Sequence, residues 1–578
     1  MAEPQQDQSN VAPATEPRPA ARPAPASGGR WLLAFGTAGA VLVLTAAAIV
    51  LLGARPTPEA LRYIPGDVAI VAELRMDLPG DQFQKIGNLL AHFPGFKDQS
   101  TLPAKIDEAL GRIVTSTTKG AVDYATQLQP WLAGPVFAGA RAGDVSGASR
   151  DFLVVATTDG KVTCDAIFKG ATATTETYRG VAVEMAAATA AGTEACALDG
   201  RYGLIGSIAM VHAGLDAHAD HTGIDTQSTY RTARESIAAD QLVSVYAGRD
   251  AMSGFGAVPS TLGLTPLASD AIGAAISRLP AWTMVALHAE DDGVVLDVVT
   301  AAVPAASGGT GSPRPTLPPG SASRIAPLLP ADTLAFAELH GAGIAAGNGL
   351  AALRTDPTFS GPLSQVDGAL TILGGADQLV GWVDDLGIVV VPDGSTVAGG
   401  VILMAADDAT ASAKADQIRG VLSVAGLSGG FTTHDTTVNG TTVTTVDLGD
   451  VSTLLQSAGT GLDVPSGHLV LSLAAHGSAV IIGSETFAGR ILQEQTAGAL
   501  ADQASYRHAL DKVAAKNVGQ LYLGATAALS LAENAMPGTQ RPQFEDSVKP
   551  YVEPFDVILA TVSMDNGAVR FRLVATVK

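Results

Sequence analysis

The sequence predicts an α+β protein with one N-terminal transmembrane helix followed by two tandem repeats of antiparallel sheet covered by helices. Three observations carry that expectation. Residues 31–54 form an uncharged apolar run. Matched motifs recur in the same order in two halves of the remaining chain. Within each half, short apolar runs are separated by turn dipeptides.

The run Trp31–Ala54 is bracketed by Arg30 and Arg55. About 20 mostly apolar residues cross roughly 30 Å of hydrocarbon, so one integral membrane span is expected. Residues 1–30 carry six prolines and no clustered apolar side chains. Such a segment buries too little surface to offset chain entropy, and it reads as a disordered cytoplasmic tail. Arg18, Arg22 and Arg30 precede the run, against Arg55 and Arg62 beyond it. Long following domains translocate largely regardless of charge. The expected location is therefore the cell membrane, N-terminus cytoplasmic and C-terminal bulk extracytoplasmic. A cleaved signal peptide would have a short basic start and an apolar core of roughly 7–15 residues; here the start is long and Pro-rich.

The repeat comes next. Pro65, Asp67, Glu73 and Leu74 match Pro330, Asp332, Glu338 and Leu339. Pro130-Trp131-Leu132 matches Gly381-Trp382-Val383, and Leu204-Ile205-Gly206-Ser207 matches Ile481-Ile482-Gly483-Ser484. Tyr230 and Tyr246 match Tyr506 and Tyr522. The final hairpins are placed at Asp292-Gly293 and Asn566-Gly567, dipeptides that tolerate the positive φ of a tight turn. Between the copies, Pro304–Arg324 has linker composition. The expected units are residues 56–303 and 325–578.

Within a copy, Val68–Leu74 reads as a strand. Phe83, Ile86, Leu90 and Phe93 recur at helical spacing until Pro94-Gly95 stops them. Ile106, Leu110 and Ile113 mark a second helix. Strands near 152–156, 181–185, 195–198 and 202–206 follow, with turns at Arg179-Gly180 and Asp199-Gly200. A helix begins near Ser207, another holds Tyr230 to Ile237, and strands at 242–248, 283–289 and 293–301 close the unit. The second copy gives the same order, with a turn at Asn439-Gly440.

These residues carry a resemblance. Tyr63-Ile-Pro-Gly-Asp67, the strand after it, His92-Phe-Pro-Gly-Phe96 and Pro130-Trp131-Leu-Ala-Gly134 are similar to the bacterial domain-of-unknown-function family 3352. The resemblance implies one membrane span followed by a large domain outside, and brings no catalytic residues. Copy two lacks the Phe-Pro-Gly-Phe stop, so membership there rests on the repeat.

The formal net charge of −21 argues against nucleic acid, whose phosphates need clustered Lys and Arg. A hydrophobic share of 47% lets most of the chain bury a core. Gly426-Leu-Ser428-Gly-Gly430 satisfies G-x-S-x-G, but a helix is expected before it and a strand after, the reverse of a nucleophile elbow. Ser116-Thr-Thr-Lys119 satisfies S-x-x-K, yet no K-T-G partner occurs. No catalytic residue is assigned, and no cofactor is expected. His212, Asp216, His218, Asp220 and His221 form the one histidine cluster. His212, Asp216 and Asp220 share a helix face by i, i+4 spacing, a weak metal candidate. Copy two has no histidine or aspartate in the matching Gly489–Gly498, so a solvated face is the better reading. Cys164 and Cys196 are either one disulfide or two buried thiols. Glu73 and Glu338 could do acid–base work only in a shared cleft; equal placement in both copies favours a structural role.

The expected function is a non-enzymatic binding or scaffold module of the cell envelope, with an unknown envelope protein or lipid as partner. The alternatives are a carrier or sensor of an apolar ligand such as a lipid, and a cell-envelope hydrolase. One continuous sheet with a cavity would favour ligand capture, and two tethered globules would favour scaffolding.

Overall fold

A computed structural model describes residues 58–75, 80–96, 123–131, 134–142, 151–168, 172–186, 194–251, 280–302, 318–355, 380–429, 432–450, 468–494, 498–565 and 567–578, with isolated residues between 78 and 112. The expected tail, the run 31–54, Ser116 and most of the expected linker lie outside them.

Ten strands come from the first half: β1 (Ile70–Leu74), β2 (Val136–Ala140), β3 (Phe152–Thr157), β4 (Thr172–Tyr178), β5 (Val181–Ala186), β6 (Glu194–Asp199), β7 (Tyr202–Ser207), β8 (Val243–Gly248), β9 (Trp282–Glu290) and β10 (Gly293–Ala301). Ten come from the second: β11 (Ala335–His340), β12 (Asp385–Asp393), β13 (Thr396–Met404), β14 (Thr432–Val438), β15 (Thr441–Asp450), β16 (His468–His476), β17 (Ala479–Ser484), β18 (Gly519–Gly524), β19 (Phe555–Asp565) and β20 (Ala568–Val577). The described helices are α1 (Gln82–Ala91), α2 (Cys164–Phe168), α3 (Ile208–Ala219), α4 (Ser228–Glu235), α5 (Ala342–Thr355), α6 (Asp408–Gly429), α7 (Phe487–Glu494), α8 (Ala504–Asp511), α9 (Ala525–Ala535), α10 (Arg541–Ser547) and α11 (Lys549–Val552).

All the strands join one 20-stranded sheet. Across the first half the order is β4-β5-β6-β7-β3-β2-β1-β8-β9-β10, every pair antiparallel. The second half repeats it as β14-β15-β16-β17-β13-β12-β11-β18-β19-β20. The halves meet where β10 pairs with β20 antiparallel, from Gly293↔Thr576 to Ala301↔Ala568. The sheet therefore has an approximate twofold axis near Asp297↔Arg572.

This corrects the expectation of a transmembrane helix followed by two tandem repeats of antiparallel sheet: the described strands form one sheet, and of the two arrangements left open the continuous one is found. The last strand of each copy would be an open edge if the copies stood apart, with unpaired N–H and C=O groups. Pairing β10 with β20 satisfies both edges at once. Among the described residues, no helix is long and apolar enough to cross a membrane.

Turn chemistry explains the local hairpins. Arg179 and Gly180 have φ of 51° and 83°, and Asn439 and Gly440 have 48° and 77°. The left-handed pair matches strand twist. Gly293 serves another purpose than the expected turn. It lies in β10, and a Cβ there would stand 2.6 Å from the Ala575 carbonyl oxygen of β20, so glycine permits the close approach of the two halves.

One face of the sheet carries both cores. In the first half, α3, α4 and the 3-10 turn Pro58–Tyr63 cover Phe137, Leu153, Val155, Leu204, Tyr246 and Met284. In the second, α7 and α8 cover Phe336, Val389, Ile402, Ile481, Tyr522 and Leu559. The matched tyrosines meet edge-on in both: Tyr230–Tyr246 at 5.2 Å and Tyr506–Tyr522 at 5.7 Å. Such contacts add about 0.5–1.5 kcal/mol beyond burial. The far face is covered in pieces. There α1 sets Leu89 and Phe93 near Val294 and Val577, α2 packs with Trp131 and Ala156, and α6 packs with Leu473 and Val480.

Candidate functional site

The residues singled out in the sequence do not converge. His212 stacks on Tyr178, ring centroids 3.9 Å apart, and lies at ion-pair distance from Glu176. Asp216 accepts from Arg179 Nε at 2.7 Å and from the Tyr178 hydroxyl at 2.8 Å. Burial pushes the Asp216 carboxyl up, but those two donors outweigh it and hold the group below its ordinary value. Asp220 takes the other end of Arg179 at 3.0 Å. His218 stacks on Tyr63 at 4.1 Å, and His221 ends the segment with φ 54°. The rings stack on tyrosines and the carboxylates bond one arginine, and among the described residues no three of these donor atoms lie close enough together to hold an ion.

Cys164 and Cys196 are joined, S–S 2.04 Å. The bond pins α2 to β6 beside Trp131 and Phe168. Ser428 falls within α6, which runs on to Gly429 rather than ending in a turn before it, and no strand leads into it.

Glu73 and Glu338 do not share a cleft. Seven strand spacings separate β1 from β11, about 34 Å at roughly 4.8 Å each. Each is buried and bonded locally. Glu73 receives Arg234 at 2.9 and 3.0 Å. Burial pushes the neighbouring Tyr230 hydroxyl up to about 12. Glu338 receives Gln520 Nε2 at 2.8 Å and the Arg324 backbone N–H at 3.2 Å.

The feature the motif search missed is on the far face of the second half. Strand register sets side chains there in rows. Leu403, Leu386 and Leu339 form one row. Val401, Ile388, Ala337, Leu521 and Ala560 form the next. Gly399, Val390, Ala335, Leu523 and Ile558 form a third. None is charged. Ile388 is 55% exposed, Leu521 51%, Leu339 40% and Leu523 37%. The first row ends at a recess of about 190 Å³ beneath α6, lined by Trp382, Leu403, Ile418, Val421 and Leu422, with Lys414 and Gln417 also in its wall. In the first half the matching Ile70, Ala72, Leu74, Val243 and Val245 are only half-exposed. The signal was present in β18, Gly519-Gln-Leu-Tyr-Leu-Gly524: both faces of the strand are mostly apolar, although only one faces a core.

Two crystal forms of the protein TP0453 are similar to part of the chain. Form I aligns at 9% identity and a TM-score of 0.21, covering 44% of this chain and 81% of that one. Form III aligns at 11% and 0.22, covering 43% and 82%. No functionally curated protein matches the chain. A family model described as "Protein of unknown function (DUF3352)" matches residues 27–574, and the chain belongs to that family.

Proposed function

We propose that the chain is a non-enzymatic binding module of the bacterial cell envelope, and that the far face of its second half holds an apolar chain such as a lipid acyl tail. One observation carries this reading: three uncharged rows of side chains in which Ile388 and Leu521 are more than half exposed. The four spacings between five strands, at about 4.8 Å each, and four rises of about 3.4 Å enclose roughly 260 Å² of sheet face. At about 25 cal/mol per Å², covering it is worth about 6 kcal/mol before association costs. The first row runs into the recess beneath α6, where Trp382 and Leu422 add apolar wall. A continuous sheet also keeps the rows in fixed register, as a preformed apolar site requires.

One feature supports a place outside the cytoplasm: the Cys164–Cys196 bond suits an oxidising compartment.

The test is native mass spectrometry of the purified full chain, with the Ile388→Glu/Leu521→Glu double variant beside it. The reading expects lipid masses on the first and their loss on the second. A wild-type chain that carries no lipid from its host, and takes up none from mixed vesicles, would remove it.

A further inference from the structure

The second half buries a cluster that the first half does not have. Glu338 and His340 point from alternate positions of β11 to the core face, and Asp385 opens β12 directly across from His340. They are 4%, 2% and 5% exposed. His340 Nδ1 stands 2.9 Å from Asp385 Oδ1 and 4.0 Å from Glu338 Oε1. One donor atom from each residue lies within 4.8 Å of the other two.

The matching site in the first half shows what such a glutamate needs. Glu73 is neutralised by two guanidinium groups, Arg234 at 2.9 Å and Arg75 at 3.7 Å. In the second half, by strand register and by the matched Tyr230 and Tyr506, Arg75 is replaced by His340 and Arg234 by Leu510. Asp385 appears where the first half has Pro135. The cluster has therefore lost two arginines and gained a carboxylate. One cation returns, Arg324, whose guanidinium stands 3.4 Å from Asp385 Oδ2. Arg324 is also shared with Asp384 at 3.4 Å, the Ala405 carbonyl at 2.6 Å and Ser478 at 3.1 Å. Two buried carboxylates thus face one divided guanidinium and the imidazole of His340, where the first half sets two arginines against one carboxylate.

The imidazole is held on one side only. His340 Nε2 is buried without a hydrogen-bond partner. The ring is thus positioned by its Nδ1 side alone, toward the two carboxylates. Glu338 Oε1 keeps a lone pair on that side, because the described donors take only one, and a cation binding there displaces the proton shared by His340 Nδ1 and Asp385 Oδ1.

We propose that Glu338, His340 and Asp385 bind one divalent transition cation through Glu338 Oε1, His340 Nδ1 and Asp385 Oδ1. One imidazole and two carboxylates suit manganese, iron(II) or zinc rather than calcium or copper(I). Ligand bonds of about 2.0–2.2 Å place neighbouring donors roughly 3–3.5 Å apart, which the 2.9 and 4.0 Å separations bracket. The ion replaces the positive charge that arginines supply in the first half. This inference does not depend on the apolar face, which lies on the opposite side of the same strands.

The experiment uses the purified full chain, stripped with a chelator and titrated separately with Mn2+ and Zn2+ by calorimetry, with elemental analysis of the untreated protein. One equivalent per chain is expected, with a thermal midpoint that rises with free metal. His340→Arg installs the first-half residue and should keep the fold while abolishing binding. Asp385→Asn should weaken binding at least tenfold, and His212→Ala should leave it unchanged. A stripped chain that takes up neither ion stoichiometrically overturns the proposal. So does a folded His340→Arg chain that binds as the wild type does, or binding that is lost with His212 instead.

Discussion

Arg572 meets Asp297 through two hydrogen bonds of 2.8 Å each, and the two residues belong to different halves of the chain. Asp297 is fully buried on β10, with Arg570 of β20 also 3.3 Å away. The pair sits at the middle of the only strand pairing that joins the halves among the described residues. A carboxylate buried there against two guanidinium groups fixes the register of the junction, since a slip of one residue would send it to the far face. Removing one partner of a buried pair strands the other charge. Asp297→Ala should therefore cost about 3–5 kcal/mol. Denaturant unfolding should show one cooperative transition in the wild type and a lower or split transition in the variant. An unchanged midpoint would remove the junction's assigned role.

The disulfide should act locally on the first half. It closes a loop with a sequence separation of 32. Chain-entropy arguments put its contribution at about 3–4 kcal/mol. Cys164→Ala/Cys196→Ala should lower the melting midpoint and alter the emission of Trp131, which packs against the bond. Emission from Trp382 in the other half should stay as it was. A Trp31→Phe/Trp282→Phe background leaves Trp131 and Trp382 as the only emitters, and Trp382→Phe within it separates the two signals.

Asp292 adds a pH-dependent contact between the halves. Its hairpin in the first half meets His508 of α8 and Lys512 just past its end, with Lys512 Nζ at 2.8 Å. Burial raises the carboxyl, but the hydrogen bonds and charges of Lys512 and His508 outweigh it and hold it below its ordinary 3.8. A depressed carboxylate contributes stability that is present above its unfolded value and is lost as pH falls through the folded one. The contribution should thus be intact at pH 5 and disappear on acidification from about 4 downward. The pair is partly exposed, so the effect should stay below about 1 kcal/mol. Lys512→Met should flatten that part of the stability–pH curve and leave the neutral-pH midpoint within that margin.

Ile388→Glu and Leu521→Glu should change binding and not folding. Both side chains are more than half exposed, and substitutions at such positions usually fall within about 0.5 kcal/mol. Circular dichroism melts should overlay those of the wild type. Uptake of a fluorescent fatty acid should be lost. Equal loss of stability and uptake would mean the face is core, not site.

Much of this architecture could be read from the residues, and the unread part has a physical cause. Glu73 and Glu338, or Tyr246 and Tyr522, can be paired by eye because their neighbours alternate in the same way. Arg179-Gly180 and Asn439-Gly440 announce their turns through local conformation. The β10–β20 pairing announces nothing: period-2 alternation tells which face a residue takes but not which distant strand lies beside it. Asp297 and Arg572 are 275 residues apart. The cluster of Glu338, His340 and Asp385 was hidden for the same reason, since 45 residues separate the histidine from its aspartate. The histidine cluster around His212 misled for the opposite reason. Its members are close in sequence, but Tyr178, Tyr63 and Arg179 arrive from elsewhere and occupy them. Leu339, Ile388, Leu521 and Leu523 lie on strands whose alternating pattern gives the face each takes but not whether anything covers it.

The apolar face is tested most directly by photolabelling. The full chain is mixed with vesicles that contain a diazirine-bearing palmitate, irradiated and digested. Adducts should gather on the peptides that carry Leu339, Ile388, Leu521 and Leu523, with a lesser share on Trp382 and Leu422. Labelling confined to residues 31–54, or spread evenly over both halves of the sheet, would contradict the account.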